Sequence, residues 1–183
     1  DTIGIYGPDS AWFTAFDGGS YQWLKNEGKG GRNKDARSLF FYIATVNTPA
    51  MVLEMVGIGS QYALAALDSE GAYLNGADSY KLTIPANVPA KDFWSLVVYD
   101  PQTRSMLQTD QPYPSKNNER NRDMLVNKDG STTLWFGPEP PPGKEANWIQ
   151  TLPGKGWFLC LRLYGPLEPW FDKSWQPGEI EKL

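Results

Sequence analysis

Apolar runs in this chain stop at strand length. QYALAAL (61–67), YKLTIP (80–85), FWSLVVYD (93–100), STTLWFGP (131–138) and WFLCLRLYG (157–165) are dense in β-branched and aromatic residues, with Gly, Pro, Asp or Ser at their ends. Between them lie turn signals. DSEG (68–71) has Asp first and Gly last, DPQT (100–103) has Pro second, and NGADS (75–79) follows the short piece AYL (72–74). SMLQT (105–109) is placed to pair back on 93–100 as a hairpin. With 18 glycines and 15 prolines in 183 residues, a helical bundle is excluded and many short strands are expected.

One region reads otherwise. In NKDARSLFFYIATVNTPAMVLEMVG (33–57), Asn33 or Asp35 can cap a helix, and Leu39, Phe40, Ile43 and Val46 recur at helical spacing. Pro49 is expected to end or kink that helix, leaving AMVLEMVG as a second short piece. The predicted fold is therefore mostly β, an antiparallel β-sandwich of jelly-roll type with one helical region near residues 35–56. Residues 1–34 carry Ile3, Ile5, Trp12, Phe16 and Trp23 among Gly, Asp and Ser, and read as an arm or the remnant of a preceding region; 35–183 read as the sandwich. The start, DTIGIYGPDSAWF, has neither initiator Met nor a signal-like apolar core. A processed product or a fragment is expected, with a missing N-terminal domain or second chain as partner.

Composition removes several chemistries. Histidine is absent, so within this chain a Ser–His–Asp or Cys–His triad, imidazole zinc sites and the facial-triad iron site are excluded. The single cysteine, Cys160, forms no internal disulfide and reads as an inert strand thiol. A net charge of −4 argues against nucleic acid as a partner. The basic run KNEGKGGRNK (25–34) contains Glu27 and reads as a solvated loop. No phosphate-loop spacing occurs, and neither a metal nor a cofactor is expected.

Carboxylates and aromatics remain. Two acids suffice for glycoside chemistry, one protonating the leaving oxygen and the other attacking or activating water. The candidates are Asp110, in the polar loop TDQPYPSKNNERNRD (109–123), and Glu139 and Glu145, around EPPPGKEAN (139–147). Asp68, Glu70 and Asp100 read as turn formers. Sugar rings stack on indole faces, and Trp148, Trp170, Phe171 and Trp175 are the candidate ligand platform. Arg162 interrupts an apolar strand and is expected to form a structural ion pair. Arg104, after the DPQT turn, is freer and can reach a ligand.

Several ordered motifs carry a family resemblance over roughly residues 35–183. They are GADSYKLTIP (76–85), DFWSLVVYDPQTRSML (92–107), the DGS turn (129–131) and NWIQTLPGKGWFLCLRLYGPLEPWFDKSWQP (147–177). Together they resemble the domain of unknown function 1214 family. The resemblance implies a jelly-roll β-sandwich, usually the C-terminal part of a longer protein behind a domain of unknown function 1254. It carries over no catalytic residue. The chain departs from the family's N-R-Y-S-like stretch with DQPYPSKNNERN (110–121). The shared RLYGP…W ending implies a clamp of aromatics and prolines over the sandwich.

The expected function is the C-terminal β-sandwich portion of an envelope-associated or secreted microbial protein, periplasmic or extracellular, acting in ligand binding or assembly as a homo-oligomer. The alternatives are a carboxylate-based glycan hydrolase or lyase, and an interfacial protein whose aromatics touch a membrane surface.

Overall fold

The computed structural model describes residues 4–16, 21–26, 29–44 and 47–183; Ile3, Glu27 and Val46 lie outside the described residues. The protein is mostly β. Its strands are β1 (Trp12–Phe13), β2 (Ser60–Ala65), β3 (Tyr80–Ile84), β4 (Ala90–Tyr99), β5 (Ser115–Asn117), β6 (Thr132–Gly137), β7 (Trp148–Gln150), β8 (Phe158–Pro166) and β9 (Ile180–Lys182). They form two sheets, ordered β1-β2-β8-β4-β5 and β7-β6-β3-β9. Pairing is antiparallel except between β6 and β7, so the second sheet is mixed.

Alternation along the strands builds one main core. Ala63 and Ala65 of β2, Leu159, Leu161 and Leu163 of β8, and Trp94, Leu96 and Val98 of β4 point inward from the first sheet. Tyr80, Leu82 and Ile84 of β3, Leu134 and Phe136 of β6, Ile149 and Ile180 meet them from the second. The five apolar runs of the sequence became β2, β3, β4, β6 and β8. The stretch after DPQT does fold back, through the bridge Tyr99↔Met106 and the bond from the Leu107 N–H to the Val98 carbonyl at 3.0 Å. The short strands β1, β5, β7 and β9, of two or three residues each, exist because partners in the sheets accept them.

The helical region departs from expectation at its far end. Asn33 caps α1 (Lys34–Ile43), its side chain accepting from the Ala36 N–H at 3.2 Å. The chain has already left the helix at Ala44, in extended backbone, so Pro49 neither ends nor kinks it. Instead Pro49 begins a separate turn, α2 (Pro49–Val52), where its missing N–H costs nothing. Within α1 only Phe40 is buried, and Leu39 faces solvent. Phe40 joins Phe16, Trp23 and Val52 in a second small core, with Tyr62 of β2 packed against it. Helix α1, with Phe16 and Trp23 from the segment before it, thus lies on the outer face of the larger sheet.

The two turn aspartates act as backbone anchors. Asp68 accepts from the Glu70 and Ala72 N–H groups. Asp100 accepts from Gln102 and Thr103, and its other oxygen pairs with Lys155 Nζ at 2.5 Å. The Lys155 bond, ahead of the backbone donors, holds the Asp100 carboxyl below its usual range. A folded-state value lowered in this way contributes stability above the unfolded carboxylate range of about 4, and that contribution is lost as pH falls through the folded value. Asp100→Asn should therefore lower stability by about 1 kcal/mol at neutral pH, the modest size reflecting the 45% exposure of the lysine side chain. The gap from wild type should narrow as pH falls below the unfolded carboxylate range and close once the folded carboxyl is protonated, read by urea denaturation across pH.

Candidate functional site

Outward-facing residues of the larger sheet form an aromatic surface. Phe93 of β4 stacks on Tyr164 of β8 with centroids 4.0 Å apart, and Tyr99 stacks on Phe158 at 5.2 Å. These are cross-strand partners in register, so β4–β8 pairing alone sets them face to face. Arg162 lies between Tyr62 and Tyr164, its guanidinium carbon 5.0 and 4.4 Å from the ring centroids. Among the described residues the expected ion pair at Arg162 is not formed. Two aromatic faces take the role assigned to a carboxylate, and the polar contact is a long one from its Nη2 to Ser60 Oγ at 3.5 Å.

Where α1 crosses this surface it leaves a cleft of about 530 Å³. The floor is Tyr62 and Leu64 of β2, Tyr99 of β4, and Phe158 and Cys160 of β8. The helix supplies Phe40, Phe41, Tyr42 and Ile43, and the turn after β4 supplies Thr103, Arg104 and Ser105. Arg104 closes one edge, its guanidinium 4.7 Å from the centre of the Tyr42 ring. Among the described lining residues Arg104 alone carries a charge. Burial pushes the Cys160 thiol and the Tyr99 hydroxyl each up to about 12, and raises Tyr62, so these groups stay neutral at ordinary pH. The cysteine is inert as a nucleophile for that reason.

The residues singled out from sequence are scattered. Asp110 is exposed, its carboxylate accepting from Gln150 Nε2 at 3.2 Å while its N–H donates to Gln150 Oε1 at 2.9 Å. Glu145 sits in the 3-10 turn Glu145–Asn147 ahead of β7, and accepts from the Gly143 N–H at 3.0 Å. Backbone hydrogen bonds hold its carboxyl below the usual range, which suits a turn anchor and not a general acid. Glu139 is exposed beyond β6. None of the three lines the cleft.

The aromatic ending is a clamp. Trp170 is 2% exposed, in the one-turn helix α3 (Glu168–Phe171), with Tyr6 edge-on at 6.4 Å and Lys173 Nζ 5.3 Å from its centroid. Trp175 is buried and its indole N–H donates to the Ala86 carbonyl at 3.2 Å; Phe171 packs half-buried on the main core. The two indoles are covered by protein, so they do not make an exposed platform. Trp148 is half-buried and donates to the Gly137 carbonyl at 2.9 Å. Of the eight residues named in advance, only Arg104 lies on the cleft.

The helix side of the cleft was signalled by LFFYI (39–43). Successive residues of a helix point about 100° apart, so three aromatics in a row cannot share one buried stripe. Phe40 turns inward, leaving Phe41 and Tyr42 at 44% and 54% exposure.

A two-sheet, mostly β domain with an aromatic cleft under its one long helix is what the geometry defines. The chain belongs to the family described as Protein of unknown function (DUF1214), whose profile matches residues 59–168. Among solved structures it is similar to the VPA0106 protein from Vibrio parahaemolyticus, with a TM-score of 0.61 and 21% identity over 88% of this chain and 39% of that one. It is also similar to an uncharacterized protein from Burkholderia cenocepacia, at a TM-score of 0.44 and 15% identity over 91% of this chain and 46% of that one. The likeness to VPA0106 is one of fold. The chain spans less than half the length of either structure. No curated protein matches it.

Proposed function

We propose that the domain binds a small apolar ligand in the cleft between α1 and the outer face of the larger sheet, as the C-terminal portion of an envelope-associated or secreted microbial protein. The cleft itself carries this reading. Its volume of about 530 Å³ lies within the range of small-molecule sites, and its walls are aromatic and aliphatic with a few polar groups. We read the two sheets as a jelly-roll-type sandwich that serves as the scaffold. Acid-based glycan chemistry has no comparable support, since Asp110 and Glu145 are engaged at turns away from the cleft. Among the described residues no helix is long and apolar enough to cross a membrane.

The neutral fluorophore phenylnaphthylamine tests the reading. It should bind with one-to-one stoichiometry and enhanced emission. Ser105→Trp, placing an indole at the exposed rim, should weaken binding at least about tenfold without lowering thermal stability. Absence of binding, or binding indifferent to Ser105→Trp, would refute the cleft as the site.

A further inference from the structure

We infer that the cleft takes an amphipathic small molecule with a carboxylate head, and that Arg104 determines this specificity by receiving the carboxylate at the rim while the apolar tail lies along the aromatic floor. The inference rests on the ligand-binding reading above and names the chemical class of the ligand.

Three observations about Arg104 carry it. First, its guanidinium lies over an aromatic ring and is paired with no carboxylate among the described residues. Its carbon is 4.7 Å from the centre of the Tyr42 ring, and the ion pairs among the described residues are Lys81–Glu181, Lys155–Asp100 and Lys182–Asp78. A guanidinium has five N–H donors, and a contact with one ring leaves enough of them for a planar carboxylate to accept two in parallel.

Second, the residue is held in an uncommon backbone conformation. Arg104 has φ +63°, which L-residues seldom adopt. The surrounding turn imposes it, with the Arg104 N–H donating to the Asp100 carbonyl at 2.7 Å and the Asp100 carboxylate fixed by Gln102, Thr103 and Lys155. The arginine is thereby delivered to the mouth of the cleft at a defined angle. A glycine or asparagine would satisfy such a turn with less strain, and neither would supply a cation.

Third, the charge among the described lining residues is positive, opposite to that of the protein as a whole. The chain carries −4, yet no carboxylate is among the described lining residues. Arg162 stands beside the floor on the same outward face, near enough to Tyr62, Tyr99 and Cys160 to favour negative charge at each. Two guanidiniums and, among the described lining residues, no acid, beside an aromatic wall of low polarity, favour an anion whose remaining atoms are apolar. A purely apolar ligand would leave Arg104 unused, and a highly charged one would leave the aromatic floor uncovered.

A matched pair of probes separates this from the parent reading. Phenylbutyrate and phenylbutanol share a tail and differ in the head group, and both are titrated calorimetrically into the wild type and Arg104→Gln at low salt. The acid should bind the wild type about tenfold more tightly than the alcohol, as a charge-assisted pair at a partly exposed rim allows. In Arg104→Gln the acid should fall to the affinity of the alcohol. Equal affinities in the wild type, or an acid preference that survives the substitution, would overturn the role of Arg104 while leaving an apolar cleft in place. Failure of both probes and of phenylnaphthylamine would overturn the cleft reading and this inference together.

Discussion

Trp12→Ala is expected to lower the free energy of unfolding by about 3 to 5 kcal/mol, the range for emptying a buried aromatic site. Trp12 is 0% exposed and belongs to the main core, although it comes from the segment before the helix. Its indole N–H donates to the Gly178 carbonyl at 2.9 Å. Its strand adds an edge to the larger sheet through Trp12↔Ala65 and Phe13↔Leu64. Next to it, Ser10 Oγ and the Ala11 N–H both donate to the Glu179 carboxylate, at 2.7 and 3.0 Å. Residues near the two ends of the chain are therefore joined over one buried side chain, and removing it exposes core and leaves the Gly178 carbonyl without this donor. Urea denaturation followed by the remaining tryptophans measures the loss. A cost below about 1 kcal/mol would mean that this segment does not contribute to the core in solution.

Gly76→Ala should be at least as damaging, costing about 3 kcal/mol or more and leaving little soluble protein. Gly76 does not need glycine for a positive φ. It needs glycine because a Cβ there would lie against the Leu152 carbonyl oxygen and within 2.9 Å of the Leu152 N, both backbone atoms that cannot swing away. The approach is held on both sides, by the Gly76 N–H donating to the Lys155 carbonyl at 2.8 Å and by Thr151 Oγ1 donating to the Gly76 carbonyl at 3.0 Å. Gly71→Ala is the informative comparison. It has φ +81° with nothing within 4 Å of the added methyl, so only conformational strain of about 1 to 2 kcal/mol is expected. If thermal melts reversed that order, the close approach of residues 76 and 152 would be wrong.

These two positions show where reading the chain stops. Gly71 ends the recognisable turn DSEG, and its role follows from four adjacent residues. Gly76 sits in NGADS and reads as another turn glycine, because the Leu152 backbone that forbids a side chain is distant in sequence. Arg162 teaches the same lesson. Its place on the outward face of β8, beside Tyr164, was legible from alternation, but its other cation–π partner Tyr62 depended on the β2–β8 register. Pro49 was read as a helix breaker on local grounds, whereas the chain had left the helix before reaching it.

The candidate site was legible only at one edge. Arg104 stood out because a turn aspartate precedes it and no nearby acid claims it. The rest of the cleft comes from stretches far apart in sequence, residues 15–16, 40–44, Met51, strand β2, the end of β4 with its turn and the start of β8, and is created only when α1 lies across the sheet. The aromatics that drew attention in the sequence, Trp170 and Trp175, turned out to fill space and bind backbone carbonyls.

What the sequence by itself determined was local: the five main strands, their inward and outward faces, the aspartate turns and the start of α1. Period-two alternation, β-branched content and side-chain capping act between residues close along the chain, so they survive without knowledge of the rest. Tertiary structure decided the pairing order of the strands, the four short strands, the burial of Trp12 and the clamp of Trp170, and the cleft at Arg104. Each of these depends on which distant surfaces meet, and burial is a property of that meeting, since the same indole is a platform when its face is open and a core residue once another strand covers it.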